Sequence, residues 1–318
     1  MYQRIVDEVI AGRRLGRKDD LSFLLEGELG QLKQGASRIR QTLCGNHVDL
    51  CTIINGRAGR CSEDCRFCAQ SSYHHTGAEE YEVLDADAFV DACRHHEKSG
   101  IHRFSIVTAG RTLAGKEFEQ ILEAYRRMKR VCKRMKLCAS HGLLKKEQFA
   151  ALREAGVSRY HANIETSRRN FPNICTTHTF EDKLSCIRAA KEAGLQVCSG
   201  GIIGMGETWE DRLDMALTLS ELQVDSIPIN ALIPIPGTPF GDLPVLTEEE
   251  ILRTVVIFRF LNPMADVRLA AGRTLMEENG REAFVSGGNG AITGDMLTTS
   301  GNDTAQDIEM LRSCGFEV

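Results

Sequence analysis

From about residue 46, short runs rich in β-branched and apolar residues alternate with stretches whose apolar positions recur at helical spacing. The pattern predicts strands at 48–55, 103–109, 136–140, 159–165, 196–204, 224–233, 265–272 and 291–297. Between them it predicts helices at 87–99, 115–133, 145–155, 180–193, 208–222 and 247–261. Asp85 and Thr247 stand where N-caps are wanted, and Gly156 and Gly194 fall just past helical stretches, where a left-handed cap is favoured. Eight strand–helix alternations with no long structureless segment predict an α/β fold, a (β/α)8 TIM-type barrel over 46–318. Residues 1–45 form an N-terminal helical extension outside the repeat.

Successive strand side chains face opposite ways, so parity assigns faces. Leu137 and Ala139 share a face that Cys138 does not, and Val197 opposes Cys198. Val267 and Leu269 oppose Arg268, while Ile227 and Ile229 oppose Ser226 and Asn230. In the first strand Leu50, Thr52 and Ile54 oppose Asp49 and Cys51. Packing the branched apolar set under the helices turns cysteine, asparagine and arginine into the barrel. Such interiors are normally filled by branched aliphatics, so this one reads as a reaction chamber.

Composition narrows the function class. The 318 residues are 42% apolar and 26% charged with a net charge of -5, which predicts a globular protein without a phosphate-binding surface. The basic run from Arg126 to Arg134 reads as the solvated face of one helix. No apolar leader and no stretch of about 20 apolar residues is present, so neither secretion nor a membrane span is expected. Twelve cysteines without a leader point to metal chemistry in a reducing compartment, the cytoplasm.

The chemistry concentrates at Cys61, Cys65 and Cys68, spaced C-x3-C-x2-C in a tight polar segment that offers no core to bury them. Three thiolates suit a cubic [4Fe-4S] cluster, which normally takes four cysteines. The shortfall leaves one iron open, as a catalytic metal requires. An open iron can chelate and reduce S-adenosylmethionine, releasing a carbon radical. A zinc site completed by His74 or His75 is the competing reading, although no second C-x2-C or H-x3-H pair accompanies it.

With Phe67 before its last cysteine, this run resembles the radical S-adenosylmethionine signature. The rest of the chain, from about residue 40, resembles biotin synthases. The matching segments are Asn163–Thr166, Val197–Thr208, Gly237–Pro239, Val267–Arg273 and Leu297–Thr299. The resemblance implies conversion of dethiobiotin to biotin, with sulfur from an auxiliary cluster deeper in the barrel. It also implies a homodimer and an electron donor such as flavodoxin or ferredoxin. Phe67, Glu165, Lys183 and Gly204 are implied contacts of S-adenosylmethionine, and Asn163 and Asn230 of the substrate's ureido ring. Cys138, Cys198 and Arg268 fall at auxiliary-ligand positions, but Ser105 replaces the remaining cysteine. A hydroxyl is a poor iron ligand beside a thiolate. Cys51, placed inward by parity, is expected to replace the lost thiolate, with Cys44 a further candidate. Four thiolates would favour a four-iron auxiliary cluster over [2Fe-2S].

Two departures are smaller: Glu165 stands where the family tends to have aspartate, and Lys183 where it has arginine. Lysine keeps the charge but lacks the bidentate fork. Cys93, Cys132, Cys175, Cys186 and Cys314 read as small buried hydrophobes. A radical lyase or mutase of the hydrogenase-maturation or methylornithine-forming type is the alternative activity, since such enzymes can dispense with a sulfur-donating cluster.

Overall fold

A computed structural model describes residues 2–294, 296–298 and 301–318. Three helices come first: α1 (Tyr2–Ile10), α2 (Ser22–Glu26) and α3 (Leu29–Cys44). The repeat follows as β1 (Asp49–Arg57), α4 (Ala86–Lys98), β2 (Arg103–Thr108), α5 (Gly115–Val131), β3 (Lys136–Ser140), α6 (Lys146–Ala155) and β4 (Val157–His161). It continues with α7 (Phe180–Glu192), β5 (Gln196–Cys198), β6 (Gly201–Ile203), α8 (Trp209–Leu222), β7 (Ser226–Ala231), α9 (Glu248–Leu261) and β8 (Asp266–Leu269). The chain closes with α10 (Arg281–Val285), β9 (Gly290–Ile292) and α11 (Thr304–Ser313).

All strand pairings are parallel, in the order β5-β4-β3-β2-β1-β9-β8-β7-β6. Cys198 of β5 also pairs with Ser226 of β7, which closes the sheet into a barrel. β5 and β6 are two halves of one stave, so the expected strand at 196–204 is a single stave with a break. The break has a steric cause on the neighbouring strand. Pro228 offers no N–H to the ladder, and a Cβ on Gly200 would sit 2.0 Å from the Pro228 carbonyl oxygen. Only glycine lets the two backbones approach this closely.

The strand expected at 159–165 leaves the ladder after His161, yet Ile164 N still donates to Gly200 O at 3.0 Å. The strand expected at 291–297 ends at Ile292, and its Asp295 lies outside the described residues, as does Thr299. Thr247 caps α9 through reciprocal bonds with Glu250, whereas Asp85 occupies the N-cap position of α4 without a side-chain bond.

The apolar strand faces pack under the helices as parity requires: Leu50, Leu137, Ala139, Val197, Ile227 and Val267 all join the buried core. Helix α9 is buried along nearly its whole length because α3 covers its outer side. Phe23 meets Phe260 edge-on at 5.9 Å, and Arg253 Nη1 donates to the carbonyls of Leu24, Leu25 and Gly27. The N-terminal helices thus share the core of the barrel. Among the described residues, no helix is long and apolar enough to cross a membrane.

Candidate active site

The segment after β1 carries Cys61, Cys65 and Cys68, all half-buried. Its turns are fixed by backbone bonds from Cys61 N to Gln70 O, Cys68 N to Cys65 O and Ser72 N to Cys61 O, at 2.9–3.0 Å. Gln70 braces its start by accepting from Gly59 N at 3.0 Å. A second loop, between Asn173 and α7, clamps it from outside. Asp64 Oδ1 accepts from the backbone N–H of Thr176 at 2.8 Å and of Thr177 at 3.2 Å, and Thr177 Oγ1 donates to Glu63 Oε2 at 2.8 Å. Phe67 packs with Ile174, Met205, Leu232 and Phe240 in a small separate apolar cluster.

A cavity of about 340 Å³ fills the barrel, and Phe67 and Cys68 of that loop line it. Deeper, from the strands themselves, Cys51, Ser105, Cys138 and Cys198 also line it. Cys68 of the loop and a separate, deeper set of thiols therefore face one chamber. Around the deeper set lie Arg103, Arg159 and Arg268. Asp49 holds all three guanidiniums, with Oδ2 at 2.6 Å from Arg103, 2.8 Å from Arg268 and 3.5 Å from Arg159. Burial alone would raise the Asp49 carboxyl, but Arg268 and Arg103 hold it far below the ordinary range. Burial likewise opposes ionisation of Cys198. A hydrogen bond from His161 and the nearby Arg268 and Arg159 charges nevertheless bring that thiol down to about 7. Cys51 and Cys138 are pushed up by burial.

On the chamber wall, Glu165 adopts φ +67°, a left-handed conformation that only a few per cent of non-glycine residues adopt. Lys183 Nζ lies 3.6 Å from Glu165 Oε1, while Glu165 Oε2 is buried without a partner among the described residues. A buried acceptor of that kind is normally satisfied, so it points to a ligand donor. Asn163 Oδ1 accepts from Gly200 N at 3.0 Å, and among the described residues its amide N–H groups have no partner. Asn230 is more fully engaged, donating to Gly201 O at 3.0 Å and accepting from Ala271 N at 3.2 Å.

Comparison with known proteins bears on this arrangement directly. Residues 57–219 match the Radical SAM superfamily, and residues 228–317 match the Biotin and Thiamin Synthesis associated domain. A biotin synthase of Alkaliphilus metalliredigens is 60% identical over 99% of both chains. One of Clostridium beijerinckii is 57% identical over 99% of this chain and 100% of its own. This chain belongs to the biotin synthase family. The fold is also that of methylornithine synthase, with a TM-score of 0.83 at 20% identity over 98% of this chain and 96% of the other. At that identity the likeness concerns fold alone, so the biotin synthase reading stands over the lyase or mutase alternative.

The residues expected for biotin synthase chemistry are only partly brought together. Cys51, Cys138, Cys198, Arg268, Phe67, Cys68, Glu165, Asn163 and Asn230 line the chamber. Cys44 does not. It ends α3 outside the barrel, 3.4 Å from Pro263 O and 3.3 Å from Arg259 Nη1, so it cannot reach an auxiliary cluster. Adjacency along the chain to β1 had suggested it, but the turn at Gly45 carries the thiol away. Ser105 faces inward in register with Cys138, at the position where the resemblance leads one to expect a cysteine. Gly204 lies beyond the chamber wall, and its N–H is engaged by Glu207 Oε1 at 2.8 Å. His74 Nε2 bonds the carbonyl of Cys65 at 3.0 Å rather than its thiol, so a zinc site completed by His74 is not formed.

Arg268 is also held differently from the expected ligand role. Nη1 donates to Asp49 O at 2.7 Å and to Ala291 O at 2.8 Å, Nε to Ser226 Oγ at 3.3 Å, and Nη2 to Asp49. Burial disfavours its charge, yet Asp49 raises its pKa further, so it is a cation with its N–H groups engaged. Three inward groups were not anticipated: Arg103, Arg159 and His161. The same parity finds them, since His161 pairs in register with Cys198 and Arg159 with Cys138. The buried Nη1 of Arg103 and Nε of Arg159 have no partner among the described residues. Unpaired donors beside three thiols fit an anionic cluster.

Proposed function

We propose that the chamber holds dethiobiotin between two iron–sulfur clusters, one on Cys61, Cys65 and Cys68 and the other on Cys51, Cys138 and Cys198. The chain is a radical S-adenosylmethionine enzyme that inserts sulfur into dethiobiotin to give biotin. The observation that carries the two-cluster reading is the one cavity lined both by Cys68 and by the three deeper thiols.

When bound, the first cluster and S-adenosylmethionine supply a carbon radical, and the auxiliary cluster supplies sulfur. The chain's own residues do the rest. Glu165 and Lys183 offer opposite charges to the aminoacyl end of the cofactor, and Glu165 Oε2 is free to accept. The free amide of Asn163 donates to the ureido carbonyl. Ile53, Val107, Ile202, Leu232 and Ile233 exclude water around the reacting carbons. The guanidiniums of Arg103, Arg159 and Arg268 offset the negative charge of thiolate-bound iron and sulfide.

With Cys44 outside and Ser105 a poor ligand, three thiolates remain for the auxiliary cluster, as many as the first loop gives its own. That parallel supports a four-iron auxiliary cluster, which needs about eight irons per chain rather than about six. Flavodoxin or ferredoxin fits as electron donor, in a cytoplasmic homodimer. The test is anaerobic turnover of the reconstituted enzyme. Formation of 5'-deoxyadenosine should depend on dethiobiotin and track biotin, with iron near the higher count. Cleavage of S-adenosylmethionine indifferent to dethiobiotin would overturn the substrate assignment.

A further inference from the structure

Outside the chamber, a different set of ligands meets the cluster loop. Cys175, expected to be an inert buried residue, has its Sγ 3.2 Å from His178 Nδ1 and 3.1 Å from Asp64 Oδ1. Ligand atoms of Cys65, Cys175 and His178 all lie within 4.8 Å of one another. His178 Nδ1 is also 2.6 Å from Glu63 Oε2. Neither Cys175 nor His178 lines the chamber, so neither is needed for the substrate site.

We propose that in the chain lacking its first cluster, Cys65, Cys175 and His178 form a tetrahedral site for a soft divalent cation. One carboxylate, from Asp64 or Glu63, completes it. The preferred ion is Zn2+. Zinc–sulfur and zinc–nitrogen bonds of about 2.3 and 2.0–2.1 Å place tetrahedral ligand atoms about 3.3–3.8 Å apart. The spacings already present need only small side-chain adjustment to meet that. Two thiolates and an imidazole select zinc over ferrous iron, in line with the affinity order of divalent metals.

The site is also largely built in advance. The Asp64 carboxylate is bonded to the backbone N–H groups of Thr176 and Thr177, and Arg66 N donates to Ile174 O at 3.0 Å. The His178 ring is buried, and its Nδ1 is the nitrogen aimed at Cys175 Sγ, 3.2 Å away.

The consequence is competition. Cys65 cannot serve a zinc ion here and the open-iron cluster at once, so zinc bound at this site must leave before the cluster is assembled. The proposal rests on Cys65 being a ligand of the first cluster only for that competition, not for the zinc site itself.

The direct test uses the full-length Cys61→Ser/Cys68→Ser protein, which keeps Cys65, Cys175 and His178, with cobalt(II) as the spectroscopic probe. It should show the visible bands of tetrahedral thiolate-bound cobalt, bleached by zinc. Adding Cys175→Ala or His178→Ala should remove one equivalent of that signal. The auxiliary thiols are the same in every arm, so a spectrum and stoichiometry unchanged by Cys175→Ala would overturn the site. In the wild-type sequence, zinc loaded before reconstitution should slow first-cluster assembly, read by iron uptake and cluster absorption. The Cys175→Ala protein should assemble the cluster at its zinc-free rate. Equal slowing in both proteins would overturn the competition.

Discussion

Arg268 Nη2 lies 2.8 Å from Asp49 Oδ2, and this pair organises the floor of the chamber. Asp49 starts β1 and Arg268 lies on β8, with the short β9 between them in the sheet. The contact crosses that strand, and Arg268 Nη1 bonds the carbonyls of both Asp49 and Ala291 on the way. Asp49 also holds Arg103 and Arg159. One carboxylate thus keeps three cations around the three thiols of the proposed auxiliary cluster.

Replacing Asp49 by asparagine is isosteric but leaves those buried guanidiniums without their common counter-charge. Removing one partner of a buried ionic network costs about 3–5 kcal/mol. Anaerobic urea unfolding of Asp49→Asn should show a loss of that size. A change below about 1 kcal/mol, the level of an ordinary substitution, would mean that the arginines are neutralised by other groups.

Asn163 and Asn230 separate in what their loss should do. Asn163 keeps a free donor toward the chamber, so Asn163→Ala should weaken dethiobiotin binding without unfolding the barrel. An unpaired polar contact costs about 1–3 kcal/mol, which is roughly 5- to 150-fold in affinity. Asn230 ties Gly201 of β6 to Ala271, so Asn230→Ala should lower stability as well as affinity. Equilibrium binding and thermal unfolding of the two variants check the distinction; unchanged affinity in Asn163→Ala would assign its amide to backbone bracing alone.

The barrel was legible because a period-2 pattern with polar inward positions survives whatever packs outside it. Cys51, Cys138, Cys198 and Arg268 all face inward as parity required. The break between β5 and β6 was not legible, because its cause, Pro228, lies on the neighbouring strand and acts only once the strands are paired. Cys44 and Cys175 show in opposite ways how little chain position says about loop contacts. Cys44 is close to β1 along the chain but is turned away from the barrel, whereas Cys175 is distant in sequence and is folded against Cys65. Contacts between loops carry no periodicity, so spacing alone could not find the second case.

Cys65 tests the first cluster. It sits on the clamped loop with Cys61 and Cys68, outside the strands of the barrel, and is only half-buried. Cys65→Ala should therefore fold, lose about four irons per chain and form no 5'-deoxyadenosine. Circular dichroism establishes the fold, and iron analysis with product assay establishes the rest. Product from the folded variant would remove Cys65 from the ligand set.

Cys51 decides how the auxiliary site compensates for Ser105. Cys51 is buried, lies in register with Arg103, and shares the chamber wall with Cys138 and Cys198. Ser105 is inward as well, but its hydroxyl is much the poorer ligand for iron. If Cys51 replaces the missing thiolate, Cys51→Ala should lose the auxiliary cluster's absorption and irons, making no biotin, while still cleaving S-adenosylmethionine. Cys44→Ala should leave both clusters intact, because that thiol packs against Pro263 and Arg259 outside the barrel. Ser105→Cys on the Cys51→Ala background restores the count of three thiols from the neighbouring strand, and should recover an auxiliary cluster. An unaltered auxiliary spectrum and iron content in Cys51→Ala would show that Cys138 and Cys198 hold the cluster with a different third group, leaving Cys51 a small buried residue of β1.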